Sequence, residues 1–212
     1  MSELVRLHMR RMIGHEPLTR AGSRIGPAIS EFWGWSMSDL VENTSRGVFA
    51  EFIVAVALGI RTDAVRVAWA PYDLETAAGI KVEVKSAAYL QSWWQRELST
   101  IQFSIKPAHP YDPDTGTSAP EKTRSADVYV FCLLAHTDKA TVDPMSMDQW
   151  KFYVVARSTL DQRKRSQTSI TLRSLEELSP VFAFEDLAAG VDAAAGLPER
   201  PNRPRLQATP AE

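Results

Sequence analysis

Asp73, Glu83 and Lys85 are the residues of this chain whose types and spacing suit hydrolysis at a phosphate. Glu83 and Lys85 stand in "IKVEVKS", where Ile80, Val82 and Val84 alternate with Lys81, Glu83 and Lys85. In a strand this alternation places Glu83 and Lys85 on one face, roughly 7 Å apart along the backbone. Asp73 lies in "YDLET", and the intervening "AAG" is a turn signal, so a hairpin would set Asp73 beside Glu83. Two carboxylates and an ammonium group then converge at one end of that hairpin. Mg²⁺ prefers carboxylate and carbonyl oxygens together with water. It can generate hydroxide and neutralise charge developing on a phosphate. A lysine beside it can orient the attacking water and offset charge in the transition state. Taken alone, the triplet equally describes the solvated face of an ordinary surface hairpin.

The surrounding elements decide whether the triplet is positioned for chemistry. Upstream, "SRGVFAEFIVAVALGI" reads as a helix apolar on nearly every side, hence buried on more than one face, ending at Gly59. Glu51 sits in its middle, where a carboxylate is costly unless it is paired or binds a cation. The β-rich runs "AVRVAWA", "YDLET" and "IKVEVKS" follow. "AAYLQSWWQREL" is helical or irregular, and "STIQFSIKP" returns to alternation. A long Pro/Gly/Ser/Thr loop, "AHPYDPDTGTSAPEKTRSA", is of the kind found in functional or mobile segments. "DVYVFCLLAH" is continuously apolar and so central in a sheet, with "QWKFYVVAR" as a further strand. Short helices are expected at "STLDQRKR" and "SLEELS", and a strand at "SITLRS".

This order divides the chain into an N-terminal arm or cap over 1–39, one domain over 40–195, and a Pro-rich, disordered tail over 196–212. The domain is of the α/β or α+β class.

The ordered set "PYD", nine residues, then "EVK" resembles the signature of the PD-(D/E)XK nuclease superfamily. Pro71-Tyr72-Asp73 departs from a strict Pro-Asp by one inserted residue. The resemblance covers roughly 45–135 and implies a restriction-endonuclease-like fold, a central mixed sheet flanked by helices with an αβββαβ core. It implies that Asp73, Glu83 and the Val84 carbonyl bind Mg²⁺ or Mn²⁺, with Glu51 as a further acid. Lys85 would hold the nucleophilic water. The implied activity is a divalent-metal-dependent endonuclease hydrolysing phosphodiester bonds of DNA, in restriction, repair or defence, and leaving a 5′-phosphate and a 3′-hydroxyl. Gln102 would add a polar contact. The alternatives are a non-catalytic nucleic-acid-binding or assembly module that kept the fold, and a nuclease directed at RNA. A double-strand cut needs two such sites, the expectation behind a homodimer.

Composition narrows the field without choosing. With 212 residues, 44% hydrophobic and 24% charged, the chain can bury a core without disulfides or a structural metal. The lone Cys132, in "VYVFCLLA", reads as a small buried hydrophobe and suits a reducing cytoplasm. No apolar stretch reaches membrane-helix length, and "MSELVRLHMRRMIGHEP" has no apolar core of signal-peptide length. A formal net charge of −2 leaves polyanion binding to local patches.

Candidate nucleic-acid contacts are Trp93 and Trp94, which could stack bases or cover the core edge, and the basic run Arg163, Lys164 and Arg165. Arg20, Arg24 and Lys106 are of the same kind. Trp33 and Trp35 suit a core or oligomer contact. The four histidines show no metal-ligand spacing, and "RAGSRIG" lacks the Gly-Lys-Ser/Thr of a phosphate-binding loop.

Overall fold

The structure, a computed structural model, describes residues 6–163 and 167–198. After an extended start, β1 (Pro17–Arg20) and β2 (Ser23–Ala28) form an antiparallel ribbon, turned at Ala21 and Gly22. Helix α1 (Ile29–Met37) follows directly, and Glu31 Oε1 accepts from the Ala28 N–H at 3.2 Å. No residue of α1 is buried, so Trp33 and Trp35 are not core residues of this chain.

Helix α2 (Asn43–Leu58) begins where the Glu42 carboxylate accepts from the Thr44 and Ser45 N–H groups at 2.8 and 3.1 Å. It ends at Gly59, whose φ of 68° lets the chain reverse while Ile60 N–H bonds the Ala55 carbonyl. Ala50, Ile53, Val54 and Leu58 face the sheet, but Phe52 and Val56 are exposed. The helix is therefore buried on one face rather than all round.

The sheet opens with β3 (Leu74–Glu75) and β4 (Lys81–Ala88), an antiparallel hairpin with Leu74 opposite Val82 and Glu75 opposite Lys81. Gly79, at φ 79°, closes its turn by donating to the Thr76 carbonyl at 2.9 Å. After β4 the chain crosses over through β5 (Gln102–Ser104) and the small hairpin of β6 (Tyr111–Asp112) and β7 (Thr117–Ser118). It re-enters the sheet as β8 (Val128–Leu134), parallel to β4, and β9 (Trp150–Ala156) then runs antiparallel to β8. The order is β3-β4-β8-β9. Every residue of β8 is buried, as its unbroken apolar run requires of a central strand.

Two cores lie on the two faces of this sheet. Val82, Val84, Val130 and Cys132 pack under α2 and the C-terminal helix. Ala87, Tyr129, Phe131 and Tyr153 pack on the other face. There α3 (Arg157–Gln162), β10 (Ser169–Thr171) and α4 (Leu172–Glu176) cover them, and β10 pairs with β5. Helix α5 (Leu187–Ala194) closes the first face beside α2. Arg124, almost wholly buried, ties crossover to cover: it donates to the Ile105 carbonyl at 2.9 Å and to Asp161 at 2.6 Å.

The protein is thus a mixed α/β fold, a mixed sheet flanked by helices. One expected strand is irregular instead: "AVRVAWA" forms no strand and is exposed through Trp69. Residues 89–98, helical or irregular by sequence, form bends held by side chains: Gln95 Oε1 accepts from the Gln91 N–H at 2.7 Å. Among the described residues no helix is long and apolar enough to cross a membrane. The tail from 199 lies outside the described residues, as do Lys164 and Arg165.

Candidate active site

The hairpin places Asp73 one step beyond the end of the paired register, level with Glu83. Its N–H donates to the Val82 carbonyl at 3.1 Å, and its Oδ2 accepts from the Val84 N–H at 2.7 Å. The carboxylate thus continues the ladder where the β3 backbone no longer can. On β4, Lys85 Nζ donates to Glu83 Oε1 at 2.5 Å, so the two residues share a face as strand parity dictates. The second oxygen of each carboxylate, Asp73 Oδ1 and Glu83 Oε2, takes no hydrogen bond among the described residues. Glu83 pairs across to Tyr129 of β8.

Asp73, Glu83 and Tyr129 border a cleft of about 690 Å³. One wall is the exposed segment around Trp69, and the other is the crossover from Lys106 to Tyr111. The charged face of β4 is therefore neither plain surface nor core: at one end it roofs apolar packing around Ala87, and at the other it opens into this cleft.

Electrostatics make Asp73 unusual. Burial first, then the nearby carboxylates of Glu83 and Glu51, push its carboxyl up from the usual 3.8 to about 7. The Val84 N–H and Lys85 pull the other way without prevailing. The phenol of Tyr129 is also pushed up, by burial and then by Glu83. Cys132 lies fully buried on the opposite face, its thiol raised first by burial, which fits a core filler rather than a nucleophile.

Glu51 has a partner the sequence did not reveal. Arg66 grips it with both arms of the guanidinium, Nη2 to Oε1 at 2.6 Å and Nε to Oε2. That hydrogen bonding holds the guanidinium above its ordinary range against its own burial. The cost of the Glu51 carboxylate is thus met by an ion pair, and no cation is needed to account for it. Among the described residues no three His, Cys, Asp or Glu side chains are grouped to hold a metal ion. Asp73 and Glu83 contribute two carboxylates, and backbone carbonyls and water are left to complete any coordination.

Of the other candidates, Lys106 lines the cleft; Gln102, Trp93, Trp94 and Arg163 do not. Gln102 lies on β5 and donates to Ser169 Oγ of β10, away from the acids. Trp93 and Trp94 project from the 89–99 bends, Trp94 at 81% exposure, and so do not cover the core edge. Lys139 Nζ donates to the Trp93 carbonyl at 2.6 Å. Arg163 Nε donates to Gln167 at 3.0 Å.

Sequence reasoning missed Trp69, His109 and Tyr111 as cleft residues. The signal for the last two was the loop's length and composition, since "AHPYD" opens the Pro/Gly-rich crossover. His109 Nδ1 lies 3.0 Å from the Ala119 carbonyl, to which it donates.

No curated protein matches the chain. A family model described as bacteriophage T4 endonuclease IV matches residues 10–174, a span containing the ribbon, α2, the Asp73–Lys85 hairpin and both walls of the cleft. That match covers well over half of the chain, and the protein belongs to the bacteriophage T4 endonuclease IV family.

Proposed function

We propose that the protein is a divalent-metal-dependent endonuclease that hydrolyses phosphodiester bonds of DNA through a site of the PD-(D/E)XK kind. The family supports an endonuclease. The observation that carries the metal-dependent reading is Asp73 and Glu83 set side by side at the cleft, with the Lys85 ammonium on Glu83. Two carboxylates side by side, one of them raised to about 7 by burial and then by its acidic neighbours, form a pocket whose repulsion a cation would relieve.

Hard oxygen donors with room for water suit Mg²⁺ or Mn²⁺. Asp73, Glu83 and the Val84 carbonyl would hold it, with Glu51 behind them, held in place by Arg66. When bound, the ion would supply Lewis-acid polarisation of the phosphate and a water acidified enough to attack. Lys85 would orient that water and offset charge on the phosphate as the bond to the leaving oxygen breaks. The products would be a 5′-phosphate and a 3′-hydroxyl. The intact set of acids and lysine weighs against a module that only binds. A buried lone thiol suits a reducing cytoplasm, and restriction, repair or defence are the settings that use such chemistry.

The test is incubation with supercoiled, linear and single-stranded DNA and with RNA, each with Mg²⁺, Mn²⁺ or EDTA, alongside Glu83→Gln. Metal-dependent cleavage of DNA that Glu83→Gln abolishes is the expected result. Cleavage that persists in EDTA would reject the metal-dependent site, and cleavage of RNA alone would reassign the substrate.

A further inference from the structure

We propose that the N-terminal ribbon and α1 form a nucleic-acid-holding arm, which grips the phosphate backbone of the substrate strand beside the cleft. This rests on the endonuclease reading and adds a binding element that the catalytic hairpin does not contain.

The arm lacks what a structural cap would have. Every residue of β1 is exposed, and α1 has no buried residue. Trp35 is 84% exposed and Phe32 51%, their rings 6.3 Å apart, although such side chains normally bury themselves. A ribbon and a nine-residue helix that cover no core are not there for the stability of the chain.

Its charge indicates the partner. Between Arg6 and Arg24 stand five arginines, Arg6, Arg10, Arg11, Arg20 and Arg24, against one acid, Glu16, in a chain of formal net charge −2. Arg20 and Arg24 flank the tip of the ribbon: Arg20 pairs with Ser23, and Thr19 pairs with Arg24. A two-stranded ribbon open on both faces fits the surface of a nucleic acid, and arginine suits phosphate by its forked geometry. The exposed rings of α1 offer flat faces on which bases stack.

The arm is also rooted at the site. Arg6 donates to Asp114 at 2.8 Å, in the small hairpin that follows the cleft residue Tyr111. The segment leading into the ribbon is thus tied to one rim of the cleft.

The test uses the full chain and a fluorescently labelled DNA oligonucleotide, with EDTA present so that nothing is cut. Arg20→Ala combined with Arg24→Ala should weaken binding about tenfold and shrink the slope of log affinity against log salt by between about 1.4 and 1.8. Arg20→Lys with Arg24→Lys should keep that slope. Trp35→Ala should weaken binding about tenfold with the slope unchanged, as loss of stacking does. Melting temperatures should not move in any of the three. Wild-type affinity and slope in the double alanine variant, with cleavage intact, would overturn the arm while leaving the nuclease reading standing. A shift from dimer to monomer in sedimentation, with DNA affinity unchanged, would assign the surface to a second copy and overturn it too. Wild-type protein that neither binds nor cuts DNA would overturn both readings.

Discussion

Asp73→Asn should make the metal-free protein more stable, not less, and by an amount that depends on pH. The carboxyl rises from 3.8 to about 7 on folding, so between those values the native state binds more protons than the unfolded chain. Stability must then fall as pH climbs through that window, with the loss complete above about 7. At about 1.4 kcal/mol per unit of pKa, the ceiling is roughly 4 kcal/mol, and solvent in the cleft should reduce it to ~1–3 kcal/mol. Asparagine keeps an oxygen to accept from the Val84 N–H and removes the repulsion from Glu83 and Glu51.

Urea titrations followed by tryptophan fluorescence, in EDTA at pH 4.5, 6 and 8, would measure the difference between the two proteins. It should be smallest at pH 4.5 and greatest at pH 8. Saturating Mg²⁺ should reverse its sign, because a ligand at 100 times its dissociation constant stabilises by about 2.7 kcal/mol and only the wild type keeps both acids. A difference that is flat with pH, or a variant less stable at pH 8 without metal, would refute the crowded-carboxylate account.

Three further outcomes follow from the same geometry. Lys85→Ala should lower turnover ~10²-fold or more while DNA affinity and its salt slope hold, because in the proposed reaction its ammonium serves the transition state rather than docking; single-turnover rates beside binding curves check this. Mg²⁺ or Mn²⁺ should raise the wild-type melting temperature and leave that of Glu83→Gln unmoved, as thermal scans would show. Arg66→Met should destabilise by ~1–2 kcal/mol by stranding Glu51, and adding Glu51→Gln should recover most of the loss in a double-mutant cycle of urea unfolding.

What could be read from the residues was whatever local periodicity governs. The level placement of Asp73 and Glu83 follows from a period of two on each side of a turn, and the central position of β8 follows from seven apolar residues in a row. The partner of Glu51 could not be read, since the alternation of "VRVAWA" is the same whether its faces meet a sheet or water; here Val65 and Val67 meet water. The apolar surround of α2 misled similarly, because Phe52 and Val56 count as hydrophobic in any pattern yet stay exposed. The pairing of β5 with β10 brings together Gln102 and Ser169, 67 residues apart, a contact that no local window contains. The second wall of the cleft was suggested by composition and by Lys106 as a basic candidate, and His109 and Tyr111 had no spacing that marked them.

The connection between β4 and β8 is unusual for neighbouring parallel strands, because residues 89–127 make the crossing without a helix. The chain uses that stretch to build the wall of the cleft, while both acids and the lysine come from the short hairpin before it. In the proposed reaction, chemistry and substrate fit are thus written in separate segments. Loops of this kind accept insertions and replacements far more readily than strands do. A lineage carrying this fold could exchange what it cuts by rewriting the crossing, with Asp73, Glu83 and Lys85 left untouched.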